Sequence, residues 1–246
     1  MRILVTGGSG DIGEEVCREL ARSGHEVAVH YFRSGKRAKA IAAEIGGVAV
    51  GADLSKRSQI DRMVRGLARA WKGIEGLVNV AGFPITRRTH RYWTAPFEKA
   101  TERMFRDVFE VDALGTFQCI QAVLPFLKKA RYGKIVNFVS TPAINGHDKG
   151  YPFSAAKGAV LSLTKGLAIE LARHRICVNA VAPCTIASGW FYLYPEGLQK
   201  KIAREVPLGR VGTPKDVASV VNFLISPESD WLTGKVYVVD GGEVRL

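Results

Sequence analysis

The nine residues VTGGSGDIG, Val5 to Gly13, decide how this sequence is read. They follow a short β-branched run, Ile3–Val5, and open a stretch of helical pattern, Ile12–Ser23. Glycines between a strand and a helix let the chain turn back tightly. The start of the helix then presents unpaired N–H groups and the positive end of its dipole to an anion such as a pyrophosphate. A purely structural turn has a similar composition, so the weight of this one comes from its place after a first strand and before a first helix.

Working outward, the same alternation runs to the other end. Strands are expected at Ile3–Val5, Glu26–Val29, Val48–Val50, Leu77–Val80, Ile135–Val139, Ile176–Val181 and Val236–Val239. Between them, helical spacing predicts helices near Ile12–Ser23, Lys36–Ile45, Ser58–Trp71, Thr101–Lys129, Phe153–Arg173 and Pro214–Ile225. Thr213 before Pro214 is a start signal, a hydroxyl cap followed by proline at the first helical position. Val160, Leu163, Leu167 and Leu171 recur at helical spacing and are expected in the core. Strands alternating with helices predict an α/β fold, a seven-stranded parallel sheet with helices on both faces. No linker, low-complexity segment or longer repeat divides the chain, so one domain spanning residues 1–246 is expected.

Composition narrows the function classes. Hydrophobic residues make up 47% and charged residues 24%, which excludes a disordered chain. No apolar run reaches the roughly 18 residues a bilayer requires, so no membrane partner is expected. MRILVTGGSG breaks into glycines too early for a signal peptide. Cys17, Cys119, Cys177 and Cys184 are widely spaced, which favours neither a zinc site nor a disulfide framework. A reducing, cytoplasmic setting is expected. The net charge of +12 fits attraction to anions, yet the positive residues are scattered and only SGKRAK (Ser34–Lys39) and TRRTHR (Thr86–Arg91) cluster. Without a helix-turn-helix, a zinc finger or an aromatic RNA platform, nucleic acid is not an expected partner.

These elements resemble the short-chain dehydrogenase/reductase family over nearly the whole length, with particular similarity to 3-oxoacyl-carrier-protein reductases. The resemblance implies a Rossmann fold and hydride transfer between a nicotinamide cofactor and a carbonyl or secondary alcohol, including acyl thioesters. Thr6, Gly7 and Gly13 sit where the family's TGxxxGxG places them, but its middle glycine is Asp11 here. A carboxylate aimed at a phosphate repels it, but aspartate tolerates unusual backbone angles and Asp11 could turn away to cap the helix from Ile12, so weakened rather than abolished binding is expected. Ser9 and Ile12 complete the phosphate side of the implied site. After the second strand comes VHYFRS, with no acid but with Arg33 and Ser34, which favours NADP over NAD. Arg33 as a solvated loop cation is the plainer reading. ADLS supplies Asp53 and Leu54, matching the segment that contacts adenine. NVAG, Asn79 to Gly82 with Ala81 between, resembles the family's NNAG with Val80 in place of its second asparagine.

In the family, a serine holds the carbonyl oxygen, a tyrosine gives the proton, a lysine grips the nicotinamide ribose and an asparagine shapes a helix. Ser140 and Lys157 match the serine and lysine. The YxxxK tyrosine falls on Phe153, thirteen residues after Ser140. Phenylalanine keeps the ring and removes the hydroxyl, and losing a positioned general acid typically costs about 10²- to 10⁴-fold in rate. Tyr151 lies two residues earlier, roughly 200° around the helix, and is not expected to replace it. Three explanations stand: an engineered substitution, a natural homologue with residual activity, or a protein that binds the nucleotide without turning it over. Asp112 stands where the asparagine is expected. Pro183 matches a proline-glycine turn whose glycine is Cys184 here, and Ile186 and Ser188 match positions beside the nicotinamide carboxamide. Cys184 has no paired histidine and reads as a packed residue.

Trp190, Phe191, Tyr192 and Tyr194 fall in the family's variable substrate loop, where they line an apolar pocket or staple the loop to the core. Arg87, Arg88, His90 and Arg91, after Gly82, either steer an anionic substrate or form a solvated face. No histidine shows metal spacing. Ala155, Ala156 and Ala159 would allow close helix pairing, and the resemblance implies a homotetramer.

Overall fold

The computed structural model describes residues 1–189 and 191–244. Seven strands form one sheet: β1 (Arg2–Thr6), β2 (Glu26–Tyr31), β3 (Val48–Gly51), β4 (Gly76–Asn79), β5 (Gly133–Phe138), β6 (Ile176–Pro183) and β7 (Val236–Val239). Their order is β3-β2-β1-β4-β5-β6-β7, and every neighbouring pair is parallel. The expected α/β architecture is therefore present. Parallel strands need crossovers, and the helices that supply them bury both sheet faces, so the strands read as near-continuous apolar runs.

The helices are α1 (Asp11–Arg22), α2 (Gly35–Glu44), α3 (Arg57–Trp71), α4 (Arg91–Thr94), α5 (Glu102–Phe109), α6 (Thr116–Ala130), α7 (Pro142–Asn145), α8 (Tyr151–Leu171), α9 (Glu196–Glu205) and α10 (Pro214–Ile225). Ile3 and Val5 of β1 face Val16 and Leu20 of α1 and Val217 and Val221 of α10. Leu4, between them, faces the opposite layer with Ile60 and Val64 of α3, Ile120 and Val123 of α6, and Leu171 of α8. Alternate residues of one strand thus serve two cores, as the period of two requires. Val160 and Leu171 are buried, and Leu163 and Leu167 pack partly against the second core, as their spacing predicts.

Two differences from the sequence reading bear on the site. The predicted helix Thr101–Lys129 is two helices, α5 and α6, joined by a wider π turn at Glu110–Gly115. Such turns insert an extra residue and re-aim a side chain; here Asp112 becomes completely buried. Ala155, Ala156 and Ala159 do not share one face: Ala156 is buried within the chain, while Ala155 and Ala159, four residues apart, are exposed.

Helix α10 begins as predicted. The Thr213 hydroxyl accepts the Asp216 N–H and the Asp216 carboxylate accepts the Thr213 N–H at 2.7 Å, a reciprocal cap. Arg210 grips the same carboxylate at 2.8 Å and holds it well below the usual carboxylate range. Thr213→Ala is expected to cost about 1 kcal/mol. That corresponds to about 2–4 °C in Tm for a chain of this size, and thermal unfolding followed by circular dichroism checks it.

Candidate active site

The sheet order reverses at β1, and such a switch point opens a crevice at the carboxyl ends of the strands. The turn after β1 lies there. Gly7 has φ +67°, and a Cβ on it would fall 2.8 Å from the Ala81 backbone. A Cβ on Gly13 would fall 2.2 Å from the Gly7 carbonyl oxygen. Both positions therefore require glycine for packing alone, and the motif brings the end of β1, the start of α1 and the end of β4 together. Thr6 joins them by accepting the Ala81 N–H at 3.3 Å.

One residue that fixes this turn was not apparent in the sequence. The Gly7 N–H donates to His30 Nδ1 at 3.0 Å, and His30 Nε2 lies 3.0 Å from the Ala52 carbonyl oxygen. Since Nδ1 accepts, Nε2 must carry the proton and donate, so the neutral ring is required. Burial pushes the His30 pKa down to about 4.

Asp11 does not cap a helix starting at Ile12. Helix α1 begins at Asp11 itself, with Gly10 at the N-cap. The carboxylate is turned aside, accepting Arg37 Nη2 at 2.8 Å and the Gly189 N–H at 2.6 Å. It bridges the glycine turn to the loop after β6. Arg37 also meets Glu14, so the first turn of α1 carries a compensated charge.

A cavity of about 520 Å³ opens beside the turn, and Ile12, Gly82, Ser140, Phe153, Lys157 and Ile186 all line it. Pro183 and Ser188 line it too. Eight of the site residues named from the sequence therefore meet in one place. The Ser140 hydroxyl, just past β5, donates to the Pro183 carbonyl at 3.1 Å. Lys157 Nζ, nearly buried, stands 5.6 Å from the Phe153 ring centroid and 3.3 Å from Asp112 Oδ2. Asp112 Oδ1 accepts the Phe83 N–H at 2.5 Å. Tyr151 points elsewhere, its hydroxyl donating to the Asp148 carbonyl.

A further wall was also missed. Trp93, on α4, packs edge-on to Phe153 at 5.7 Å between centroids. Gly150 makes this seat, for at φ +65° it would place a Cβ 2.3 Å from the indole. Its N–H donates to the Trp93 carbonyl at 2.8 Å. In the loop after β6, Phe191 is buried as a staple, Tyr192 is exposed and Tyr194 lines the cavity, where burial raises its pKa. Trp190 lies outside the described residues. Burial pushes the Cys184 thiol up to about 11, against a nucleophilic role.

Other predicted residues stand away from this cavity or serve local structure. Arg33 is exposed, its guanidinium 4.9 Å over the Phe32 ring. Ser34 precedes α2 without capping it, and Ser9 sits half-buried in the turn. Asp53 accepts the N–H and hydroxyl of Ser55, while Leu54 is a core residue. Asn79 donates to Asn137 Oδ1 at 2.9 Å. Among the described residues no cluster of metal-ligating side chains occurs, and no helix is long and apolar enough to cross a membrane.

A family model described as Enoyl-(Acyl carrier protein) reductase matches residues 8–243. The chain is 34% identical to a 3-oxoacyl-(acyl-carrier-protein) reductase of Staphylococcus epidermidis, over 97% of both chains. The protein of the same name from Synechocystis is 35% identical over 99% of this chain and 96% of its own. A Staphylococcus aureus relative, again so named, is 33% identical over 97% and 96%. The chain belongs to the short-chain dehydrogenase/reductase family of oxidoreductases.

His30 yields a stability prediction. Its unfolded pKa is 6.5 and its folded pKa about 4, so between these values the unfolded chain binds the extra proton. Its contribution is full above pH 6.5 and is lost as pH falls through 4. The loss is expected to reach about 3 kcal/mol. Denaturant titrations of the parent and His30→Gln at several pH values check this, since the variant should show a flatter dependence across that window.

Proposed function

We propose that this chain binds NADP, with NAD as the weaker alternative, and interconverts a ketone and a secondary alcohol at a rate limited by the missing hydroxyl at Phe153. One domain, residues 1–246, would carry the activity. The observation that carries the reading is the convergence of Ser140, Phe153 and Lys157 on one cavity beside the turn of Gly7 and Gly13. The residues fit a dinucleotide. The first turn of α1 leaves amides without intrahelical partners and, among the described residues, has no side-chain cap, a donor set suited to a pyrophosphate. The Asp11 carboxylate is occupied by Arg37 and Gly189. Exposed Arg33 and Ser34 just after β2 would meet the 2′-phosphate, Asp53 the adenine, and Ala81 and Gly82 the central part of the nucleotide, while Leu54 and Asn79, both buried, would support this surface from behind.

When bound, the nicotinamide would supply the hydride. The protein's part is to orient the ketone and manage one proton. The Ser140 hydroxyl, now on the Pro183 carbonyl, would rotate to donate to the ketone oxygen and stabilise the charge developing there. Lys157 would hold the ribose hydroxyls, while Pro183, Ile186 and Ser188 fix the carboxamide end. Phe153 would pack against the substrate and deliver no proton. A serine hydroxyl on the wall suits a carbonyl oxygen better than a carbon–carbon double bond, which supports the 3-oxoacyl reaction in the relatives' names over the enoyl reaction in the family description. Acyl thioesters are thus the favoured substrate class.

The non-catalytic reading rests on Phe153 and Asp112, two departures in the same proton-handling apparatus. A single engineered substitution does not account for both, which favours a natural sequence. The four cysteines are free thiols, which supports a reducing, cytoplasmic home. Phe153→Tyr is expected to raise the rate of ketone reduction, in which a phenol of ordinary pKa can still give its proton, by about 10²-fold, the low end for a positioned general acid, followed by the absorbance of the reduced nicotinamide over a panel of ketones and acyl thioesters. Tight dinucleotide binding with no turnover of any substrate would favour the non-catalytic reading. Absence of binding by either dinucleotide would overturn both.

Exposed large apolar side chains on two sets of elements support a homotetramer built on two dyads. Phe105, Leu114 and Phe117 are exposed on α5, the π turn and α6, and Ile169, Phe223 and Trp231 are exposed on α8, on α10 and in the loop after α10, the last 97% exposed. Sedimentation equilibrium is expected to give four chains, and Trp231→Asp to give a smaller assembly.

A further inference from the structure

Lys157 and Asp112 form a nearly solvent-free ion pair, their side chains 5% and 0% exposed with 3.3 Å between Nζ and Oδ2. Asp112 Oδ2 has no hydrogen-bond partner among the described residues, and a Cβ on Gly82 would fall 3.2 Å from it. The opposite oxygen is occupied by the Phe83 N–H, and the Asp112 carbonyl by the Thr116 hydroxyl at 2.7 Å. Asp112 is therefore held through its backbone carbonyl and through Oδ1, with Oδ2 left facing the ammonium. Lys157 in turn stands 5.6 Å from the Phe153 ring, with no other carboxylate paired to it among the described residues.

We propose that Asp112 is a positioning residue that neutralises Lys157, so that Asp112 and Phe153 are matched departures and restoring a hydroxyl at residue 153 alone leaves it without the cation that would activate it. The proposal rests on the reading of Phe153 as the residue in the proton donor's place. An ammonium within about 4–6 Å favours an ionised phenol, and a carboxylate at similar range disfavours it. A neutral side chain at residue 112 would leave only the first effect. Asp112, held 3.3 Å from the cation, cancels much of it. His147, Lys149, Cys184, Tyr194, Glu205 and Glu243 line the same cavity and stay unchanged in every variant compared, so their fields drop out of the difference.

The test is an ultraviolet titration of Phe153→Tyr with the parent protein's curve subtracted, which removes the seven native tyrosines. With Asp112 in place, the new phenol is expected to ionise near the ordinary value of about 10. Adding Asp112→Asn is expected to lower that midpoint by about one pH unit, and to raise alcohol oxidation about tenfold at a fixed pH below it. A phenol in Phe153→Tyr alone that ionises a full unit below the ordinary value overturns the proposal. So do coincident curves for the single and double variants. The first measurement decides even if Asp112→Asn fails to fold. The titration needs neither nucleotide nor ketone, so its failure is distinct from failure of the oxidoreductase reading, which appears as absent dinucleotide binding.

Discussion

A chain of buried side-chain hydrogen bonds sets the height of α8 on the sheet. Asn79 on β4 donates to Asn137 on β5 at 2.9 Å, Asn137 donates to the Thr164 hydroxyl on α8 at 3.0 Å, and Thr164 donates to the Val160 carbonyl at 2.8 Å. All three side chains lie in the interior, where an unpaired polar group costs about 1–3 kcal/mol. Apolar packing between a helix and a sheet tolerates sliding, whereas this chain does not, because each residue of slip moves a helix 1.5 Å along its axis. Lys157 and Phe153 lie about two and three turns before Thr164. Their position at the carboxyl edge, beside Ser140 at the end of β5, follows from a polar contact deep beneath them.

The same edge collects the rest. In a parallel sheet every strand ends on one side, so the turn after β1, the end of β4, Ser140 after β5 and Pro183 at the end of β6 become neighbours although they are far apart in sequence. The turn is held from behind by His30 and from the side by Ala81. Arg18, Arg22, Arg37 and Arg57 pair with carboxylates of their own or neighbouring helices.

The strands were legible because burial on both faces writes itself as β-branched runs, and the glycine turn was legible because close backbone approach excludes every other residue at Gly7 and Gly13. Ser140 and Lys157 were legible through the family resemblance, which matched a serine ending a strand and a lysine on the long helix that follows. His30 was not, for a neutral histidine pointing along the sheet edge looks like any strand residue until its partner Gly7 is known. Asp11 was misjudged because its carboxylate is claimed by Gly189, far along the chain, and by Arg37 on another helix. The π turn was hidden because its residues continue the helical pattern, and only the buried carboxylate it aims inward requires the extra residue. Trp93 was passed over because its seat is an absence, the missing Cβ of Gly150.

These contacts also separate holding a ligand from transforming it. The Phe153 ring is fixed by the edge of Trp93 and by the Lys157 ammonium near its face, and neither contact uses a phenolic oxygen. The cavity wall consequently keeps its shape while lacking a proton to give. The glycine turn, the serine hydroxyl and the lysine are likewise indifferent to that atom, since His30, Pro183 and Asp112 hold them. Ligand binding draws on the whole wall, whereas proton transfer draws on one bond and on the charge that polarises it. A sequence can therefore lose both of the latter, as Phe153 and Asp112 together imply, without disturbing the packing that builds the pocket.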